Sequence, residues 1–238
     1  MIEMNLIETF NIKKKYFLDK VIVNALNGVS LKISKGDFAV IVGPSGSGKS
    51  TLLHLLGALD HPTSGAVKID GKIINQLDDD QLALFRRNKM GFIFQAFNLI
   101  PSLTALENVM IPTEPTKEPQ EEAEERAISI LDKVGLSERI YHKPGELSGG
   151  QRQRVSIARS LINNPEIIYA DEPTGNLDSV TGEKVIDLMR HLNKKEKKTF
   201  VVVTHDETLL KFASIKFILK DGLLHKIHGK DGAKKFVD

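Results

Sequence analysis

The sequence predicts an α/β protein with a parallel-sheet core, and three stretches carry that prediction. The apolar run Phe38-Ala39-Val40-Ile41-Val42 reads as a buried strand; Gly43-Pro44-Ser45-Gly46-Ser47-Gly48-Lys49-Ser50-Thr51 follows as a glycine loop, and Leu52, Leu53, Leu55 and Leu56 as a helix face. Ile167-Ile168-Tyr169-Ala170 reads as a second buried strand ending in the carboxylates Asp171 and Glu172. Thr199-Phe200-Val201-Val202-Val203-Thr204 is a third, delivering His205 and Asp206. Open α/β sheets collect ligands at such strand ends.

The loop matches G-x-x-x-x-G-K-[ST] over its whole length and sits between a strand and a helix, the context that pattern needs. Gly43, Gly46 and Gly48 open backbone conformations in which successive N–H groups point inward at phosphate oxygens. The helix starting near Lys49 adds its positive end. Lys49 is the point charge for the outer phosphates, and the Ser50 hydroxyl is suited to Mg²⁺. An ordinary glycine turn would not require all of these together, so the loop predicts binding of a nucleoside triphosphate.

Ahead of the loop the chain is strand-like: Leu6-Ile7-Glu8-Thr9-Phe10, Val21-Ile22-Val23, and the alternating Val29-Ser30-Leu31-Lys32-Ile33. Between the first two, Tyr16 and Phe17 follow three lysines, and an exposed aromatic there can either stack on a nucleobase or simply pack. Beyond the loop helix, Ala66 to Ile74 reads as a hairpin turning at Asp70-Gly71. Asp78-Asp79-Asp80 opens a helix that ends in Arg86, Arg87 and Lys89, the charge order a helix dipole favours. Gly91-Phe92-Ile93-Phe94 is a short strand ending at Gln95, whose side chain can reach a metal or water, although a glutamine by itself is more often a plain surface residue.

Four of the nine prolines fall between Pro101 and Pro119, which suits a joint between subdomains better than a continuous element. Glu121, Glu122, Glu124 and Glu125 then open a helix with Ala123, Ala127, Ile130, Leu131 and Val134 at helical spacing; the acids read as a solvated first turn. Leu147-Ser148-Gly149-Gly150-Gln151 opens another helix through Val155, Ile157, Ala158 and Leu161. A hydroxyl and two glycines at a helix N-terminus make a second anion nest, and a plain serine cap would not need both glycines and the glutamine. Two phosphate-seeking ends in one domain suggest that one serves a neighbour's nucleotide. After Pro173 and Asn176-Leu177-Asp178, the spacing of Val185, Ile186, Leu188, Met189 and Leu192 gives a core-facing helix.

The bulk properties narrow the setting. At 238 residues a real core can be buried in one domain. With 33 basic and 31 acidic residues the net charge is +2, which gives no electrostatic reason to expect a nucleic-acid partner. The absence of cysteine excludes disulfides and thiolate metal sites. Met1 to Asn5 lacks the pattern of a secretory leader, and no uncharged apolar run approaches the ~18 residues needed to cross a bilayer. A cytoplasmic protein is expected, with any membrane role supplied by a partner, and the tail from Gly229 is expected to be poorly ordered.

Together these motifs resemble the ATP-binding subunits of ABC transporters, over essentially the whole chain. By that resemblance Gly43, Pro44, Ser45, Gly46, Ser47, Gly48, Lys49, Ser50 and Thr51 are the Walker A loop and Gln95 the Q-loop residue. Leu147, Ser148, Gly149, Gly150 and Gln151 are the signature, Asp171 the Walker B aspartate, Glu172 the catalytic glutamate, Asp178 a D-loop residue and His205 the switch histidine. Tyr16, nine residues before Ala25-Leu26, falls where the family keeps its adenine-stacking aromatic. Gln95-Ala96-Phe97-Asn98-Leu99-Ile100-Pro101 and Asp171 to Asp178 are similar to the lipoprotein-releasing and macrolide- or peptide-exporting subfamily.

The resemblance implies a P-loop NTPase core of RecA-like type, with an N-terminal antiparallel β subdomain and an inserted α-helical subdomain. The divisions expected within this single domain are 1–94, 95–155 and 156–238. It also implies ATP and Mg²⁺, the ion held by Ser50, Gln95 and Asp171, and a head-to-tail homodimer in the ATP state. A separate membrane permease subunit would place the chain at the cytoplasmic face of the membrane. One departure stands out: Thr113-Glu114-Pro115-Thr116-Lys117-Glu118-Pro119 is shorter and more polar than the family's usual linker, near the surface facing the membrane subunit. Rival readings are a regulatory ATPase that controls cell-wall cleavage through a membrane partner, a DNA- or ribosome-acting relative, and a small-molecule kinase. The kinase is disfavoured by the signature, and the DNA or ribosome reading by the lack of long insertions, zinc cysteines or a second cassette.

Overall fold

The computed structural model describes residues 5–18, 21–116, 118–228 and 234–235. Residues 1–4 and 19–20, Lys117 of the linker and most of the tail from Gly229 therefore lie outside the described residues.

A seven-stranded sheet runs in the order β12-β11-β10-β4-β9-β8-β7. Its strands are β4 (Phe38–Val42), β7 (Met90–Ile93), β8 (Ile167–Asp171), β9 (Thr199–Thr204), β10 (Ile215–Lys220), β11 (Leu223–His228) and β12 (Lys234–Lys235). β10, β4, β9, β8 and β7 are parallel, and β11 and β12 add antiparallel pairs at one edge. Both faces of the parallel part are covered, so its inner strands β4 and β9 bury every residue, and β4 reads as a continuous apolar run. In β4 the period-2 alternation sends Phe38, Val40 and Val42 into one core, and Ala39 and Ile41 into the other.

The first core is closed by helices α3 (Ala105–Met110), α4 (Gln120–Lys133), α5 (Gly149–Leu161) and α6 (Ser179–Glu196). The second holds α1 (Lys49–Leu56), α2 (Asp79–Lys89) and the antiparallel sheet of β1 (Asn5–Leu18), β2 (Val21–Val29), β3 (Lys32–Ser34), β5 (Ser64–Ile69) and β6 (Lys72–Ile73). The Tyr169 hydroxyl donates to the Leu56 carbonyl at 2.7 Å and so fastens β8 to α1. Among the described residues no helix is long and apolar enough to cross a membrane.

Three local expectations are revised. Leu6–Phe10 and the lysine-rich stretch after it form one strand of 14 residues, because Asn11 takes a left-handed φ of 48° and the register with β2 and β5 slips around it. Val29 to Ile33 is split instead, since Val29 ends β2 while Lys32 begins β3. The proline-rich joint contains a real helix, α3, started by a capping box in which Thr104 and Glu107 satisfy each other's backbone N–H. The hairpin turns at Asp70 and Gly71, both at positive φ (48° and 79°), the conformation an Asp-Gly turn requires.

Candidate functional site

The carboxyl ends of β4, β7, β8 and β9 bring the expected residues to one edge of the sheet. From β4 the chain enters the glycine loop, where Gly46 (φ 77°) and Gly48 (φ 98°) occupy left-handed backbone and Gly48 is the N-cap of α1. A Cβ on Gly48 would lie 2.4 Å from the Ala25 carbonyl oxygen, so β2 presses directly on the loop. Lys49 is buried to 9% exposure, and its ammonium donates to the Gly43 and Pro44 carbonyls at 2.8 and 3.0 Å. Ser47 is buried, and its Oγ has no hydrogen-bond partner. That hydroxyl is enclosed beside Gly43, and it is the loop N–H groups around Gly46 and Gly48, at the N-terminus of α1 and beside the Lys49 ammonium, that fit phosphate oxygens.

Asp171 ends β8, and the Ser50 hydroxyl donates to its Oδ1 at 3.3 Å. Burial raises the Asp171 carboxyl above its usual range, and the Ser50 hydrogen bond offsets part of that rise. A hydroxyl beside one carboxylate is the hard-oxygen set that Mg²⁺ accepts when phosphates supply further ligands. Among the described residues there is no cluster of three or more His, Cys, Asp or Glu to hold a metal without phosphates. Gln95 lies beyond β7, but its amide nitrogen is 3.5 Å from Asn176 Oδ1, while Asn176 Nδ2 donates to the Gln95 carbonyl at 2.9 Å. The glutamine thus faces the loop after β8, and the structure does not bring it against Ser50 or Asp171.

Glu172 sits just past β8 at φ 45°, its N–H donating to the Val203 carbonyl at 2.9 Å. Its carboxylate is heavily engaged. Oε1 accepts the His205 N–H at 2.9 Å and contacts His205 Nδ1 at 2.9 Å, while Oε2 accepts the Thr204 hydroxyl at 2.8 Å. The Nδ1 contact is a hydrogen bond in the tautomer that carries its proton there. Glu172 is thereby fixed from β9, and the exposed ring of His205 stands beside it.

The signature stretch is more self-contained than its sequence suggests. Ser148 and Gln151 form a capping box, Gln151 Oε1 accepting the Ser148 N–H at 2.7 Å and Ser148 Oγ accepting the Gln151 N–H at 3.3 Å. A Cβ on Gly150 would lie 2.2 Å from Thr181 Cγ2, so that glycine is required by the packing of α5 on α6. The cap accounts for the glutamine, which a plain serine cap is expected not to need, whereas Gly150 is accounted for by packing and not by capping. Leu147 is buried, whereas Ser148 is exposed and Gly149 half-buried, leaving these two to face outward. Asp178 caps α6, accepting the Thr181 N–H at 3.0 Å; hydrogen bonds from Thr181 hold its carboxyl below the usual range. Tyr16 on β1 donates its hydroxyl to Asp60 Oδ2 at 3.0 Å, with the Lys14 ammonium 5.0 Å from the ring centroid.

Sequence reasoning missed Thr204, Asn176 and Asp60 as members of this network. Thr204 alone carried a usable signal, a hydroxyl closing the apolar run Phe200 to Val203 directly before His205.

A phosphate loop on the central strand, an acidic pair on its neighbour but one and a histidine on the strand between them define a phosphate-loop nucleoside triphosphatase. The family model described as "ABC transporter" matches residues 26–175. An uncharacterized ABC transporter ATP-binding protein of Methanocaldococcus jannaschii, MJ0796, is 52% identical over 221 residues, covering 91% of this chain and 94% of that protein. Its dimeric structure in a post-hydrolysis state, bound to ADP and Pi, superposes with a TM-score of 0.86 at 48% identity, covering 94% of this chain and 98% of that one. The lipoprotein-releasing system ATP-binding protein LolD of Legionella pneumophila is 50% identical over 206 residues, 85% of this chain and 89% of LolD. The macrolide export ATP-binding/permease protein MacB of Bdellovibrio bacteriovorus is 48% identical over 219 residues, 92% of this chain but only 33% of MacB. The chain belongs to the ABC transporter family, as an ATP-binding and ATP-hydrolysing subunit.

Proposed function

We propose that this chain powers a separate membrane subunit by closing, as a homodimer, around two ATP molecules and opening after their hydrolysis. The observation that carries this reading is the convergence of the Gly43–Thr51 loop, Asp171, Glu172 and His205 at adjacent strand ends, with Ser148 and Gly149 turned outward. One chain supplies donors to only part of a triphosphate, and Ser148 to Gln151 of a second copy would complete the shell around the γ-phosphate. The loop N–H groups and Lys49 hold the phosphates, and Tyr16 stacks on the adenine. Asp178 caps α6 next to the dimer face. Ser50 and Asp171, joined by Gln95 when it leaves Asn176, would hold Mg²⁺, which when bound would supply positive charge to offset that of the outer phosphates.

Glu172 is the base. It accepts a hydrogen bond from the attacking water and takes its proton as the water oxygen bonds to the γ-phosphorus and the ADP oxygen leaves in line. His205, released from Glu172, turns its ring to the γ-phosphate.

A mostly apolar groove of about 640 Å³, bordered by Leu84, Arg87, Phe94, Pro112, Pro115 and Arg159, is proposed to receive the membrane subunit. The linker contributes Pro115 to its border, and the stretch is pinned by Arg87 to the Pro115 carbonyl, Asn163 to the neighbouring Pro112 carbonyl and Arg126 to Glu118. That docking places the chain at the cytoplasmic face of the membrane. LolD and MacB support lipoprotein release, or export of a peptide or drug-like substrate, as the work done. The subdomain limits proposed are 1–94, 95–155 and 156–238; α3 and α4 lie wholly within the middle one, while α5 runs across its end from Gly149 to Leu161.

Glu172→Gln tests the chemistry. Nucleotide affinity should stay near that of the unaltered chain while phosphate release falls by about a hundredfold or more, the usual contribution of a general base. Unchanged phosphate release would remove Glu172 from the mechanism.

A further inference from the structure

Thr204 ends β9, a strand otherwise made of core residues, and is itself 0% exposed. A valine would fill that place at no polar cost, whereas a buried hydroxyl is tolerated only when hydrogen-bonded. Both of its capacities are in use. The Asp206 N–H donates to Thr204 Oγ at 3.0 Å, and Thr204 Oγ donates to Glu172 Oε2 at 2.8 Å. Because the Asp206 amide can only donate, the hydroxyl proton is directed at the carboxylate.

The remaining bonds to Glu172 all fall on the other oxygen, Oε1, from the His205 N–H and the His205 ring. The ring is exposed, with 68% of the side chain's surface accessible, while the Glu172 side chain is 14% accessible. When that ring turns away to a phosphate, Oε1 keeps one donor and Oε2 keeps Thr204. Two fixed donors, one on each oxygen, set the plane of a carboxylate; a single donor leaves it free to rotate.

We propose that Thr204 is a positioning residue for Glu172, holding the carboxylate in the orientation that receives the attacking water while His205 is engaged elsewhere. The proposal rests on Glu172 acting as the base. Thr204 is buried beneath that carboxylate and has no surface of its own to offer a ligand.

The test uses the full chain, Mg-ATP turnover and binding of a fluorescent ATP analogue. Thr204→Val removes the donor and keeps the volume. It should lower kcat by about ten- to a hundredfold, the worth of one hydrogen bond to a charged group, with KM and analogue affinity within about twofold. Thr204→Ser, which restores the hydroxyl, should recover most of kcat. In a Glu172→Ala background, Thr204→Val should cost nothing further, since the group it positions is gone. Full kcat in Thr204→Val would overturn the proposal, as would a Ser variant no faster than the Val variant. So would a further loss of residual turnover in the Glu172→Ala background, which marks packing. If Thr204→Val does not fold, the Thr204→Ser comparison still decides: kcat lost in a folded serine variant means that the methyl, and not the hydroxyl, matters. Full turnover in Glu172→Ala alone would instead strike the underlying reading of Glu172.

Discussion

At the scale of single residues, the sequence is most legible where residue type is the chemistry. Lys49, Ser50, Asp171, Glu172 and His205 are each named by spacing and by position after a strand, and the fold sets the three strands that deliver them, β4, β9 and β8, side by side. Thr204, Asn176 and Asp60 are illegible for a different reason. Their partners lie 32, 81 and 44 residues away in sequence, so the hydrogen bond that gives each its role exists only after folding. Tyr16 lies between these cases. Its ring is proposed to stack on adenine, yet the Lys14 ammonium already stands over that ring and the hydroxyl is tied to Asp60. Removing the ring with Tyr16→Ala should weaken ATP binding by about tenfold or more, in line with ~1–3 kcal/mol per stacked base, and Tyr16→Phe should not. Isothermal titration with both variants separates the roles; equal, unaltered affinity would assign the ring to packing.

Elements were readable to the extent that their signal is local. The hairpin at Asp70-Gly71 and the helices α2, α4 and α6 announce themselves by turn chemistry and apolar period. α3 does not, because prolines surround it and its Thr104–Glu107 capping box is the only start signal. Packing between elements is less visible still. Gly150 belongs to the signature, yet its approach to Thr181 is a helix-to-helix contact. Gly150→Ala should cost about 1–3 kcal/mol in urea unfolding, as overpacked sites do, and adding Thr181→Ser, which removes the opposing methyl, should return most of it. If the serine gives no recovery, the contact is not the cause.

The tie between β1 and the end of α1 also has a pH signature. Burial raises the Asp60 carboxyl, but its bonds to Lys14, the His61 N–H and the Tyr16 hydroxyl outweigh that, and the net shift is downward. A depressed carboxylate contributes stability above its unfolded value, near 3.9, and loses it as pH falls through the folded value. Asp60→Asn should therefore be less stable at neutral pH and show a shallower loss below about pH 4; parallel acid limbs would contradict this.

At the scale of the whole molecule, both layers of the fold serve one edge. The parallel sheet aims β4, β8 and β9 at the nucleotide, the antiparallel sheet presses β2 against the loop at Gly48, and α5 carries Ser148 and Gly149 to the exterior. On the function proposed above, a structure so arranged would own one half of each phosphate shell and present the other half to a twin. Because each half is incomplete, nucleotide should act as the adhesive between copies, and hydrolysis should dissolve the contact. The same incompleteness could be glimpsed in the sequence, where two anion-seeking helix ends appear in a chain with one phosphate loop. What remained hidden was how far the cap and the α5–α6 packing already account for the second of them.

The most direct test is the solution mass of the Glu172→Gln chain by light scattering, with and without saturating Mg-ATP. The account predicts 26.4 kDa without nucleotide and twice that mass with it, the increase being lost when Ser148→Arg blocks the outward-facing helix end. A mass that stays at 26.4 kDa while ATP is demonstrably bound would contradict it.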